Sequence, residues 1–102
     1  LDGALAAARE VLRQDATLAQ AHDLEGIVLG SGGDLTAAVA CFRRAIELEP
    51  KYAGYHANLG FALSEQGDVD GAIAAYELVL ELDPTNDAAR NALEELHRPD
   101  RR

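Results

Sequence analysis

The sequence predicts an all-α chain of six helices built on an internal repeat, and three observations carry the prediction. Glu47-Leu48-Glu49-Pro50 returns 34 residues later as Glu81-Leu82-Asp83-Pro84. Sliding residues 19–52 onto 53–86 without a gap pairs Ala19/Ala53, His22/His56, Gly26/Gly60, Leu29/Leu63, Gly33/Gly67, Asp34/Asp68, Ala38/Ala72 and Pro50/Pro84 as identities. The apolar content of 48% comes from Ala, Leu, Val and Ile, and only 3 prolines interrupt the 102 residues, a composition that favours helix over sheet.

Each element follows from this register. Residues 1–18 match the second half of the unit, with Ala4 under Ala38, Leu5 under Val39, Val11 under Ala45 and Leu12 under Ile46. They predict a helix over 2–14 that starts mid-unit, so Leu1, Leu5, Ala8 and Leu12 lack the preceding helix that would cover them. Ala16 stands where the later units have proline, which leaves the first turn less firmly set. Residues 19–52 form a full unit with helices over 19–31 and 35–48. Residues 53–86 form the next, with helices over 53–66 and 69–82. Gly33-Asp34 and Gly67-Asp68 break the first helix of each unit and supply a capping carboxylate for the second, and Pro50 and Pro84 end the second. Small residues, Gly26, Gly60, Ala38, Ala45 and Ala72, let helix backbones approach, while Leu29, Leu59, Leu63, Phe42 and Tyr76 interdigitate around them. Glu25 breaks the pattern, because Leu59 holds its slot in the next unit. Either Leu24 turns inward to replace it or its carboxylate reaches an arginine. Residues 87–98 match a first half-unit and predict a helix over 87–97. Its apolar stripe of Ala89, Ala92, Leu93 and Leu96 opposite Arg90, Asn91, Glu94 and Glu95 suits a solubilising cap. Residues 99–102 are a tail.

The unit over 53–86, with Asn58-Leu59-Gly60, Gln66-Gly67-Asp68, Ala72-Ile73, Tyr76 and Leu82-Asp83-Pro84, resembles the tetratricopeptide repeat. The resemblance implies a right-handed α-solenoid of antiparallel helix pairs spanning residues 1–98. It also implies a concave groove, lined by the first helix of each unit, that receives a protein or peptide segment. On those helices the face opposite the core carries Gln20, Asp23, Ile27 and Ser31 in one unit and Ala57, Asn58, Phe61 and Glu65 in the next. Asn91 and Glu95 come from the last helix. Ile27 and Phe61 are large apolar groups where a solvated face would be polar, so they suggest an anchor strip flanked by carboxylates. Family members that grip the acidic C-terminus of heat-shock chaperones use a clamp of lysines, asparagines and an arginine. Asn58 matches one clamp asparagine, but Asp23, Ile27, Ala88 and Ala92 occupy other clamp slots, which disfavours such a tail.

A formal charge of −9 repels a phosphate backbone and excludes nucleic acid as a partner. It favours a protein or peptide of apolar and basic character. No apolar stretch approaches the roughly 20 residues that span a bilayer, so membrane insertion is not expected. The N-terminus shows no basic segment leading into a hydrophobic one, and the expected compartment is cytoplasmic. Cys41 is the single cysteine, so packing alone holds the fold.

The residues assemble no nucleophile, base and orienting acid, and no cofactor is implied. Gly30-Ser31-Gly32-Gly33 lacks the following Lys-Ser/Thr of a phosphate loop and falls at a helix-to-helix turn. Asp68-Val69-Asp70-Gly71 lacks the later ligands of a calcium loop and reads as a helix cap. His22 and His56 lie about 10 Å apart in stacked repeats, too far to share one metal, and read as half-buried packing groups. Cys41 reads as a small buried hydrophobe. The function expected is a non-catalytic interaction scaffold. The alternatives are a substrate-recruiting arm of a larger enzyme such as a glycosyltransferase, and self-assembly into a homo-oligomer through the N-terminal helix.

Overall fold

The computed structural model describes residues 2–14 and 18–98, with side chains from Gly3 to Glu10 and from Leu18 onward. The described residues form six helices: α1 Asp2–Gln14, α2 Ala19–Ser31, α3 Leu35–Leu48, α4 Ala53–Glu65, α5 Val69–Leu82 and α6 Asp87–Leu96. No strand occurs among them. α4 and α6 end one residue before their expected limits, where Gln66 and His97 serve as C-caps. The expectation for Ala16, and those for the side chains of Leu1, Val11 and Leu12, lie outside the described residues.

The chain divides into two compact units, Leu1–Lys51 and Tyr52–Arg102. Within the first, α2 packs on both α1 and α3; within the second, α5 packs on both α4 and α6.

The same turn chemistry joins α2 to α3 and α4 to α5. Gly33 and Gly67 adopt φ of 96° and 87°, a left-handed conformation that costs little only for a residue without Cβ. In the first turn the Asp34 N–H donates to Leu29 O at 2.9 Å and the Gly33 N–H to Gly30 O at 3.0 Å. In the second, Asp68 donates to Leu63 O at 2.9 Å and Gly67 to Ser64 O at 3.0 Å. These paired bonds satisfy carbonyls that the helix end leaves open. The next residue then opens the following helix: Asp34 accepts from Ala37 N–H at 3.1 Å and Asp68 from Gly71 N–H at 2.9 Å. Asn86 caps α6 in the same way, accepting from Ala89 N–H at 2.9 Å.

Small and large residues alternate through each unit's core as the repeat predicts. In the first unit Ala38 and Ala45 are fully buried and Phe42 lies between them. A methyl placed on Gly26 would sit 2.7 Å from Cε1 of Phe42, so the ring occupies the space that glycine leaves. In the second unit Tyr76 lies over Gly60, where an added methyl would stand 3.0 Å from the ring. Leu59, Leu63, Ala72 and Val79 are buried around it. Burial pushes the Tyr76 phenol above its ordinary pKa, with the charge of Glu65 adding to the effect.

α1 corrects an expectation, since Leu5 is half-buried rather than open. Ala8 is fully buried, because packing on α2 covers it without any preceding helix. Ala4 is exposed, whereas its equivalent Ala38, which has its own first helix beside it, is fully buried.

Candidate functional site

An amphipathic helix packed on one side leaves a row of residues facing water, and that row is where a partner can be held. On α2 the exposed row carries Gln20, Ile27 and Ser31, with Ile27 at 43% exposure. On α4 it carries Phe61 and Glu65, and Phe61, at 61%, is more open than any other large hydrophobic group described. On α6, Asn91 and Glu95 are exposed. Asp23, Ala57 and Asn58 do not share that openness. All three are half-buried, since they sit where the row turns toward the helix packing. Asp23 and Asn58 also each take part in a polar or electrostatic interaction.

Two further apolar groups belong to these faces. Leu24 is 40% exposed, one turn before Ile27, so the two form a single apolar step on α2. Tyr52, at 57% exposure, lies just before α4. Its ring covers Gly54, where an added methyl would stand 2.8 Å away. It also sits 4.5 Å, centroid to centroid, from the ring of buried Tyr55. Gly54 takes the place of Gln20 in the repeat, and that missing side chain is the sequence signal for an aromatic lying on the helix face.

Glu25 settles its own ambiguity. Leu24 stays outside, and the Glu25 carboxylate accepts from Arg9 Nε at 3.0 Å. Its other oxygen accepts from the Cys41 thiol at 3.5 Å. The half-buried cysteine is therefore more than an inert hydrophobe. Burial first, and the neighbouring Glu25 charge second, push the thiol up to about 12, which keeps it protonated and poorly nucleophilic at neutral pH.

The remaining polar motifs serve structure. Gly30 and Ser31 end α2 and Gly32-Gly33 form the turn to α3, and the Asp68 carboxylate is committed to its helix cap. His56 is buried and His22 half-buried. Among the described residues no group of three or more His, Cys, Asp or Glu is placed to hold a metal ion, and no helix is long and apolar enough to cross a membrane.

Two family models match the chain: one described as "TPR repeat" over residues 26–67 and one described as "Tetratricopeptide repeat" over 53–86. No curated protein matches. Among solved structures, MamA is similar at 26% identity, with a TM-score of 0.89 over 94% of this chain. An O-GlcNAc transferase from Thermobaculum terrenum is 33% identical over 90% of this chain, with a TM-score of 0.86. The chain spans about half of MamA, 52%, and 18% of the transferase. The first such domain of Spaghetti (RPAP3), solved bound to an HSP90 peptide, superposes with a TM-score of 0.90 over 93% of this chain and 75% of that one. At 22% identity that likeness speaks for the fold alone.

Proposed function

We propose a function from one premise: the chain belongs to the tetratricopeptide-repeat family, whose arrays serve as interaction modules. The chain is a non-catalytic scaffold that holds a protein or peptide segment on the exposed faces of its first helices, with Ile27 and Phe61 as apolar anchors. The observation that carries this reading is the exposure of Phe61, a ring that contributes little to its own fold and loses water only when something covers it. Asp23, Glu65 and Glu95 are the charged members of these faces, and they favour a segment that combines apolar with basic residues. An acidic chaperone tail would meet one carboxylate, an isoleucine and two alanines where clamp residues belong.

Pull-down from the source cell with wild-type and Phe61→Ala protein tests the reading. Phe61→Ala loses the captured partner, by about tenfold in affinity, and keeps its helical circular dichroism. Ala72→Leu, at a fully buried position, destabilises by about 1–3 kcal/mol through overpacking. Loss of fold in Phe61→Ala, or capture that survives it, overturns the assignment.

A second reading draws on the 33% identity to part of an O-GlcNAc transferase: the chain recruits substrate for a larger enzyme. The gene that encodes the chain decides it, since a glycosyltransferase domain in the same reading frame supports the recruiting arm.

A further inference from the structure

The second unit holds an open apolar cleft between α5 and α6, lined by Ala74, Glu77, Leu78, Leu80 and Glu81 from α5 and Leu93 from α6. The three leucines are half-buried, and Glu77 and Glu81 are exposed one turn apart on its rim. Neither glutamate makes an ion pair or hydrogen bond among the described residues, and neither does Glu94, the residue after Leu93.

The equivalent helix pair of the first unit carries different side chains. Two repeats earlier in register, Arg9 on α1 and Glu25 on α2 take the places of Glu77 and Leu93, and Gly26 takes the place of Glu94. There a helix, α3, sits on α2, with Cys41 against Glu25 and the Phe42 ring in the space at Gly26. The surface on α5 and α6 is the more apolar of the two, because Leu78 and Leu93 stand where Glu10 and Glu25 stand in the first unit. Glu94 stands where Gly26 leaves room for the Phe42 ring, which adds a third carboxylate to this surface. Arg9 becomes Glu77, so a rim position that is basic in the first unit is acidic here.

We propose that this cleft is a second docking surface, separate from the exposed faces of α2 and α4. Its occupant is an amphipathic helix with a leucine stripe and lysines or arginines one turn apart. The leucines cover Leu78, Leu80 and Leu93, and the basic groups meet Glu77, Glu81 and Glu94. Apolar contact contributes the affinity, and the charges set register and orientation.

The test uses a fluorescently labelled peptide of roughly 18 residues, long enough for five helical turns, with leucines on one stripe and lysines at i, i+4 beside it. Fluorescence anisotropy against the whole chain reads its binding. Glu77→Lys/Glu81→Lys weakens it by about tenfold or more, and Glu77→Gln/Glu81→Gln falls between that variant and wild type. Both exposed substitutions retain the wild-type circular dichroism, and Phe61→Ala binds the peptide like wild type. Four results would each overturn the proposal. They are equal binding of a scrambled peptide of the same composition, indifference to the charge reversal, loss of binding in Phe61→Ala alone, and a concentration-dependent dimer of the unliganded chain that the charge reversal abolishes. The last would make a second copy the occupant.

Discussion

The two units solve one packing problem with different chemistry. In the second, Leu59 fills the slot beside Gly60 and is buried. In the first, the same slot holds Glu25, whose carboxylate is taken up by Arg9 and the Cys41 thiol. A repeat therefore fixes the volume and position of a side chain more tightly than its polarity, provided that any charge brought inside arrives with its partner. Exchanging the two solutions should be asymmetric. Leu59→Glu buries a carboxylate in an apolar setting and destabilises by about 3 kcal/mol or more. Glu25→Leu removes a part-buried ion pair and shifts stability by less than about 1 kcal/mol in either direction. Urea titrations of both variants measure the difference, and equal losses would mean that the Arg9–Glu25 pair carries as much of the first unit as Leu59 does of the second.

The glycines sharpen the contrast at smaller scale. Phe42 approaches Gly26 more closely than Tyr76 approaches Gly60: an added methyl would stand 2.7 Å from one ring and 3.0 Å from the other. Gly26→Ala is expected to cost about 1–3 kcal/mol by overpacking. Gly60→Ala costs less, because a small ring displacement is offset by up to about 1 kcal/mol of better helix propensity. Thermal melts of the pair rank them, and a lower melting temperature for Gly60→Ala reverses the order.

The smallest effect concerns Cys41. Its raised pKa means that the thiol's stabilising environment is fully present below the ordinary thiol value of 9.0 and is lost as pH rises toward about 12. Glu25→Gln removes the adjacent negative charge and lowers that pKa, so iodoacetamide labels Cys41 faster in the variant at pH 8 than in wild type. Equal rates would show that burial alone protects the thiol.

Much of this architecture is legible in the sequence because backbone rules and the 34-residue register speak locally. Gly33-Asp34 and Gly67-Asp68 announce their turns, and Gly26 with Phe42 announces a close helix contact. Ala8 was harder to read, because its burial depends on how α1 lies on α2, a tertiary fact that no local pattern contains. The candidate face was legible in outline. Ile27 and Phe61 stand out as large apolar residues at outward positions, whereas the half-burial of Asp23, Ala57 and Asn58 depends on small rotations of a helix. Tyr52 is not legible from the pattern, because it lies outside any helix and reaches the face only by folding over Gly54. Glu25 offered two outcomes, and choosing between them required the position of Arg9, sixteen residues away on another helix.

The double service of Asp34 and Asp68 sets how these helices come apart. Each aspartate closes one helix with its amide and opens the next with its carboxylate. Fraying at that end of one helix therefore strips the other of its cap. The joint between paired helices opens as a single event, and a residue inserted between the glycine and the aspartate would unfasten both sides together, whereas one added beyond Pro84 would leave both clasps closed.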